Sequence, residues 1–258
     1  MRYDGAGRSD QVLFSQVKEH APDLVVYIGQ RWGQVPSIAC LAKINEKIAP
    51  SVHICSDAAD VPWHDMLREY NNAGAFSLQV AIDGSHKWPL AGSQMTALTP
   101  VDPALFPPLK PHAERAIMCG YGGNQGGGPA SRRTQLLTAL LTQRVLDVRI
   151  RSALPFTYEA YASYLTMVRM SLNTAWTGTE MAMHVKGRVL ESAIAGACLL
   201  ETKGSPTSAW FRPGLDYLEY GSAEEATIII RRLANEPEAT QPVADSLRAR
   251  VLAEHTPA

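Results

Sequence analysis

Three polar residues in the run 183–202 have types and a spacing suited to binding a nucleotide. His184, Arg188 and Glu191 follow an i, i+4, i+7 spacing, which predicts that they share one stripe of a helix. The opposite arc is apolar or small and consists of Val185, Val189, Ala193, Ile194, Gly196 and Ala197. An arginine neutralises phosphate charge, and a carboxylate accepts hydrogen bonds from ribose hydroxyls, so the pattern indicates a nucleoside diphosphate site. A solvent-exposed ion pair between Arg188 and Glu191 is the simpler alternative.

The start of this predicted helix offers two further features that favour a phosphate, namely free backbone N–H groups and a lysine. Gly187 lets a ligand approach the backbone closely, and the free N–H groups of a helix N-terminus favour phosphate. Lys186, directly before it, is expected to help neutralise the diphosphate. The helix leads straight into an apolar strand that ends near Thr202.

A glycine-rich segment and two polar positions are further candidates for the same site. Residues 120–128 follow a predicted strand and precede a helix, and such a loop lets main-chain amides, here those of Gly122 and Gly123, approach phosphate. The spacing is not that of a dinucleotide fingerprint and there is no P-loop lysine, so a surface loop with solvated arginines is the alternative. Thr177 is placed to meet the sugar or phosphates, although short hydroxyl residues are also common turn formers.

From Lys186 onward the chain resembles the C-terminal half of GT-B glycosyltransferases, most closely the CgeB-type (spore-maturation-like) group. The matching pattern extends over about fifty residues. Its positions are Lys186, Arg188, Glu191, Gly196, Phe211, Pro213, Gly214, Asp216, Tyr217, Ser222, Glu224 and Glu225. The resemblance implies a donor site for a nucleoside diphosphate sugar, formed by the second of two Rossmann-like domains, and chemistry that needs no metal. It also implies that the glycine-rich loop faces this site and that Arg132 or Arg133 faces the diphosphate or the sugar. The sequence contains no D-x-D motif, in keeping with that implication.

Length and alternation predict an α/β fold with two doubly wound parallel-sheet domains. The 258 residues exceed the comfortable size of one core, and short β-branched runs alternate with amphipathic helices in both halves. Residues 98–112 carry five prolines in fifteen positions, so they predict a stiff connector, or simply a proline-rich surface loop. Asp102 and Phe106 also match the GT-B interdomain crossover. We therefore predict an acceptor-side domain over 1–105, which is short, and a donor-binding domain over 106–258.

Composition narrows the partners to small molecules. A net charge of −1 gives no electrostatic reason to expect nucleic acid or an anionic membrane. The four cysteines lack C-x-x-C spacing, which favours reduced thiols in a cytoplasmic protein, and no apolar run is long enough to predict a membrane span. The sequence leaves the oligomeric state open.

The resemblance places the acceptor among the loops of the first domain. There, Asp57 directly follows a predicted strand and is the first candidate for a general base, with His86 second and Asp83 third. An Asp at a strand end is equally often a helix cap or turn residue. The chain departs from the family pattern at Met183, where many retaining enzymes carry the first of two glutamates.

The sequence as a whole predicts a metal-independent glycosyltransferase that transfers a sugar from a nucleoside diphosphate sugar to an acceptor bound in an interdomain cleft. Asp57, His86 and Arg188 are its predicted catalytic residues. A catalytically silent GT-B-like subunit that binds a nucleotide sugar or a partner protein is the alternative, because it requires the same donor residues.

Overall fold

The computed structural model describes residues 10–29, 35–60, 63–84, 94–124, 128–150 and 157–256. The chain forms two compact units, residues 1–97 and residues 98–258. Within these described ranges, each unit has its own parallel sheet, one of four strands and one of five. The predicted α/β class with two Rossmann-like sheets is confirmed.

The first unit alternates helices and strands in the predicted order. Its four strands are hydrogen-bonded in chain order, all parallel, with Val26 opposite Val52 and Val52 opposite Leu78. Its elements are α1 (Asp10–His20), β1 (Val25–Ile28), α2 (Ile38–Lys47), β2 (Ser51–Cys55), α3 (Trp63–Asn72), β3 (Leu78–Ala81) and β4 (Gln94–Thr96).

The core of the first unit lies on one face of this sheet. Trp63, Met66, Leu67 and Tyr70 recur at helical spacing along α3 and are all buried against the strands. His53, on β2, is also fully buried and stacks on an aromatic ring of the same core. Burial lowers its pKa, which keeps the imidazole neutral.

The second unit has the strand order β6-β5-β7-β8-β9, again all parallel. The chain enters at β5, moves outward to β6 and then returns across β5 to β7, so the winding reverses between β5 and β7. Its elements are β5 (Ile117–Gly123), α4 (Arg132–Thr142), β6 (Asp147–Ile150), α5 (Tyr158–Thr166), β7 (Val168–Leu172), α6 (Gly187–Ile194), β8 (Cys198–Thr202), β9 (Leu218–Tyr220), α7 (Ala223–Ala234) and α8 (Pro237–Glu254).

The proline-rich segment 98–112 packs onto the second unit. Leu98 and Val101 are buried in the cluster around α6, and Asp102 accepts a hydrogen bond from the backbone N–H of Ala104 at 2.9 Å, which caps a short 3-10 turn. Asp102 therefore has a local structural role in this segment.

The last helix is fixed to the sheet by a buried carboxylate. Asp216 is fully buried and accepts hydrogen bonds from the guanidinium of Arg212 at 2.9 Å and from the Ser246 hydroxyl of α8 at 2.7 Å. These partners hold the pKa of Asp216 well below its usual range, although burial alone would raise it. Asp216, part of the family pattern, thus joins the loop before β9 to α8.

Two predictions about the candidate motifs are wrong. Gly120–Gly123 belong to β5 and pair with β6, so they are not part of a loop. His184 does not lie on the helix with Arg188, because α6 begins at Gly187. The backbone N–H of His184 donates to the carbonyl of Ala175 at 3.0 Å, which holds that segment in an extended pairing instead.

Candidate active site

A pocket opens in the second unit at the carboxyl end of β5, where the winding of the sheet reverses. In open α/β sheets this switch point is the usual place for a ligand, because the loops on its two sides diverge. The pocket has a volume of about 220 Å³. It is lined by Gly122, Gly123, Thr157, Tyr158, Tyr161, Lys186, Gly187, Arg188 and Glu191.

Arg188 is held rigidly at the wall of this pocket. Its Nη1 donates to Oδ1 of Asn173 at 2.9 Å, its Nη2 donates to the carbonyl of Gly122, and the guanidinium lies 4.4 Å from the ring centroid of Tyr121. Burial by itself lowers the pKa of Arg188, but electrostatic interactions with Tyr121, Tyr161 and Glu191 outweigh it and raise the pKa. Arg188 is therefore a fixed, permanent cation.

The N-terminus of α6 faces the same pocket. Lys186 is the N-cap residue, and its own side chain makes no capping hydrogen bond to the helix N–H groups. Lys186, Gly187 and Arg188 all line the pocket, so the positive end of the helix dipole and the charge of Arg188 act on the same volume. Such an arrangement is suited to an anion with several oxygens, such as a diphosphate.

Glu191 lies one turn further along α6 and is oriented by α5. Its Oε2 accepts a hydrogen bond from the Tyr161 hydroxyl at 2.9 Å. A carboxylate can accept up to about four hydrogen bonds, so Glu191 retains acceptor capacity towards the pocket. The predicted proximity of Arg188 and Glu191 is observed, and the pair lines a pocket instead of an open helix surface.

Glycines at the end of β5 make room for these side chains. A Cβ atom at Gly122 would lie 2.6 Å from the ring of Tyr161. Gly123 has a φ of 151°, which side chains other than glycine rarely adopt, and a Cβ there would collide with the guanidinium of Arg188. The two glycines thus serve close packing of the pocket wall.

Two buried residues that sequence reasoning missed lie directly behind Arg188. Asn173, at the end of β7, is fully buried and bridges Arg188 to Glu201, donating from Nδ2 to Oε2 of Glu201 at 2.6 Å. Glu201 lies on β8 and is also fully buried. The signal that could have revealed it is a lone acidic residue in the otherwise apolar run of β8.

The remaining predicted donor residues lie outside this pocket lining. Arg132 begins α4, and its guanidinium lies 4.1 Å from the ring centroid of Trp176. Thr177 is buried in a turn, where its backbone N–H donates to the carbonyl of Ala182 at 2.9 Å. The Nε2 atom of His184 contacts Nζ of Lys186, which lines the pocket.

The acceptor-side candidates belong to the first unit. Asp57 follows β2 and is half-buried. Asp83 is buried and accepts a hydrogen bond from the backbone N–H of Ala59 at 2.8 Å. His86 lies outside the described residues.

Among the residues that the structure describes, no group of three or more His, Cys, Asp or Glu side chains is arranged to hold a metal ion. In the same part of the chain, no helix is long and apolar enough to cross a membrane. All four cysteines are buried, and none of them forms a disulfide bond.

A comparison with known protein families matches the second half of the chain. Residues 132–258 match a family model described as "Glycosyl transferase-like". This stretch includes the pocket residues on α5 and α6, whereas Gly122 and Gly123 precede it. A search of the curated proteins found no match.

Solved structures resemble the whole chain. Sucrose-phosphate synthase from Thermosynechococcus elongatus superposes with a TM-score of 0.65 at 9% identity, over 96% of this chain and 73% of that one. Anabaena HepE in complex with UDP-glucose gives a TM-score of 0.62 at 14% identity, over 95% of this chain and 78% of that one. A glycosyltransferase from Rickettsia africae gives a TM-score of 0.64 at 8% identity, over 99% of this chain and 80% of that one. The two Rossmann-like units therefore have the architecture of GT-B glycosyltransferases.

Proposed function

We propose that this protein is a glycosyltransferase that transfers a sugar from a nucleoside diphosphate sugar to an acceptor hydroxyl. The observation that carries the proposal is the pocket at the switch point of the second sheet. It combines a fixed guanidinium, a helix N-terminus that lines the pocket and a carboxylate, all within two turns of α6. The match of residues 132–258 to a glycosyl transferase-like family and the UDP-glucose bound to HepE support it.

The pocket residues fit the two ends of a nucleoside diphosphate. Arg188, Lys186 and the N–H groups of α6 supply positive charge for the phosphates, and Glu191 accepts hydrogen bonds from ribose hydroxyls. A volume of about 220 Å³ is smaller than the roughly 300–1,000 Å³ of a site for a complete drug-sized ligand. We therefore assign to this pocket the diphosphate and ribose, and not the whole donor.

The proposed reaction exchanges one C–O bond for another. The acceptor oxygen bonds to the anomeric carbon, the bond from that carbon to the diphosphate breaks, and the diphosphate leaves with the electron pair. Arg188 and the α6 N-terminus stabilise the charge that develops on the leaving oxygens. This positive charge belongs to the protein itself, so we propose that the transfer requires no metal ion.

The acceptor hydroxyl proton needs a base if the reaction inverts the anomeric carbon. Asp57 remains our first candidate and His86 the second, and both are proposals based on their positions after strands of the first unit. The assignment to the CgeB-type group is likewise a proposal, based on the pattern from Lys186 to Glu225.

Thermal-shift measurements with UDP, GDP, ADP, TDP and CDP test the donor site. Transfer and hydrolysis assays with the matching nucleotide sugars then test the activity, and each assay is run with and without EDTA. A ligand at about 100 times its Kd adds about 2.7 kcal/mol of stability, so the correct nucleotide should raise the Tm by several degrees. Stabilisation by none of them would refute the donor site. Binding without transfer or hydrolysis would favour a catalytically silent nucleotide-sugar-binding subunit, and loss of activity with EDTA would refute metal independence.

A further inference from the structure

Glu201 is an acidic side chain that directly follows three buried apolar residues, Cys198, Leu199 and Leu200, on β8. It is fully buried on β8, between the sheet and the loop that follows it. Its Oε1 accepts from the backbone N–H of Thr202 at 2.6 Å, and its Oε2 accepts from Nδ2 of Asn173 at 2.6 Å and from the Thr207 hydroxyl at 3.3 Å. Every contact therefore uses the carboxylate as an acceptor.

This requirement fixes the orientation of the Asn173 amide. The Nδ2 group must face Glu201, because an ionised carboxylate cannot donate a hydrogen bond. The Oδ1 atom then has to point the other way, where it accepts from Nη1 of Arg188 at 2.9 Å. The carbonyl of Asn173 is also tied down, since it accepts from the Tyr220 hydroxyl at 2.6 Å. The Asn173 backbone is thus fixed, and Glu201 and Arg188 determine the rotation of its side-chain amide.

We propose that Glu201 is a positioning residue for nucleotide-sugar binding, which acts by orienting the Asn173 amide so that it holds the Arg188 guanidinium against the pocket. This inference rests on the proposed function of that pocket. Glu201 itself does not line the pocket, so its effect on a ligand is transmitted through Asn173 and Arg188.

Burial makes this arrangement sensitive to pH near neutrality. Desolvation raises the pKa of Glu201 to about 7, although its hydrogen bonds with Thr202, Asn173 and Thr207 and the charge of Arg188 act in the opposite direction. The other titratable groups that interact with Glu201 are the hydroxyls of Tyr217 and Tyr220. A protonated Oε2 would donate towards Asn173. The amide would then turn its Oδ1 to Glu201 and its Nδ2 to Arg188, which removes one anchor of the guanidinium.

A first experiment tests the coupling without any ligand. The protein is labelled with ¹³C and ¹⁵N, and the carboxyl signal of Glu201, the side-chain amide of Asn173 and the guanidinium of Arg188 are followed by NMR from about pH 5.5 to about pH 8.5. All three should shift with one midpoint, near the pKa of Glu201. A Glu201 signal that titrates while the Asn173 amide and Arg188 stay unchanged would overturn the coupling.

A second experiment measures the affinity for UDP-glucose over the same pH range. A nucleotide sugar is preferred to UDP, because the terminal phosphate of UDP has its own ionisation near pH 6. The wild-type affinity should fall about tenfold from the alkaline to the acidic end, the loss expected for a charge-assisted hydrogen bond. Glu201→Gln should bind about tenfold more weakly at alkaline pH and show no such pH step. A Gln side chain must offer its oxygen to Thr202, so its Nε2 faces Asn173 and turns the amide.

Controls separate positioning from folding. Glu114→Gln changes an exposed glutamate in the same unit and should leave the affinity and its pH step unchanged. Thr207→Val removes one hydrogen bond to the carboxylate, so it should raise the pKa of Glu201 and move the pH step upward. Because its folded pKa is raised, ionised Glu201 lowers stability above about pH 7. Glu201→Gln should therefore melt at no lower temperature than the wild type at alkaline pH.

The outcomes distinguish this inference from the proposed function. If UDP-glucose and the other nucleotide sugars all fail to bind while the NMR signals titrate together, the proposed function and the positioning role in binding are both refuted, and only the coupling stands. If UDP-glucose or another nucleotide sugar binds and Glu201→Gln keeps the wild-type affinity and pH step, the positioning role alone is refuted.

Discussion

Two helices of the second unit begin beside polar loops, yet their N-termini differ in what satisfies them. At α4, the Ser131 side chain accepts from the backbone N–H of Thr134 at 3.1 Å, and Oε1 of Glu180 accepts from the N–H of Arg132 at 2.7 Å. At α6, the N-cap is Lys186, with no side-chain cap, and the helix end lines the pocket. The first terminus is closed by the protein's own oxygens, whereas the second has no cap from its own N-cap side chain and lines the pocket.

The sequence favours both helices as phosphate sites, because it does not contain the difference that the structure shows. The helix α4 starts with Arg132 after a glycine-rich segment, and α6 starts with Gly187 followed by Arg188. The group that closes α4 comes from Glu180, which is distant in sequence and stands at a φ of 60°, a conformation that is uncommon for a glutamate. A helix N-terminus is therefore a candidate anion site only when no carboxylate of the same protein already occupies it.

The strongest test exchanges the arginines of the two helices for alanine. Arg188→Ala removes a charge fixed at the pocket and should weaken nucleotide-sugar binding by roughly 10- to 100-fold. Arg132→Ala removes a side chain that is 59% exposed and stacked on Trp176, so the affinity should change by less than about twofold. Titration calorimetry with both variants measures the contrast. Equal losses would show that the α4 terminus also contacts the ligand.

A smaller effect is expected from closing the α6 terminus artificially. Lys186→Ser and Lys186→Ala both remove the charge, but only serine can accept a hydrogen bond from the helix N–H groups. The serine variant should be more stable than the alanine variant by about 1 kcal/mol and bind the nucleotide sugar roughly threefold more weakly. Urea unfolding and calorimetry on the matched pair measure both quantities. Tighter binding by the serine variant would mean that the ligand does not use those N–H groups.

The smallest effect on binding should come from opening the α4 terminus. Glu180→Ala removes the acceptor for the Arg132 N–H and should reduce the free energy of unfolding by about 1 kcal/mol, since the exposed ion pair with Arg132 contributes little. Glu180→Gln retains an acceptor oxygen and serves as the control. Nucleotide-sugar affinity should stay at the wild-type value in both. Tighter binding by Glu180→Ala would reveal a second anion site at α4.

Much of the fold was accessible from periodicity. In β2 buried and half-buried residues alternate, and in α3 the buried residues recur at helical spacing, so both elements follow from their apolar patterns. The three-residue strand β4 gives no such pattern, because it is short and mostly polar. The helix α8 was missed because Pro242 lies inside it and its apolar face is interrupted.

The candidate site was predictable only where its residues are close in sequence. Arg188 and Glu191 share a helix, so their spacing placed them together. Tyr161 meets Glu191, and Asn173 meets Glu201, from separate parts of the chain, and no local pattern reveals these two contacts. His184 was misplaced because its pairing with Ala175 is set by a strand-like contact that helical periodicity does not predict.

The conformation of Gly123 has a consequence for how this protein can diverge. Any side chain at that position would be both strained and directed into the guanidinium of Arg188. A lineage that keeps the arginine must keep the glycine, whereas one that loses the arginine is released from that restriction except for the strain. Substitutions at Gly123 and Arg188 are thus coupled, although the two positions stand sixty-five residues apart.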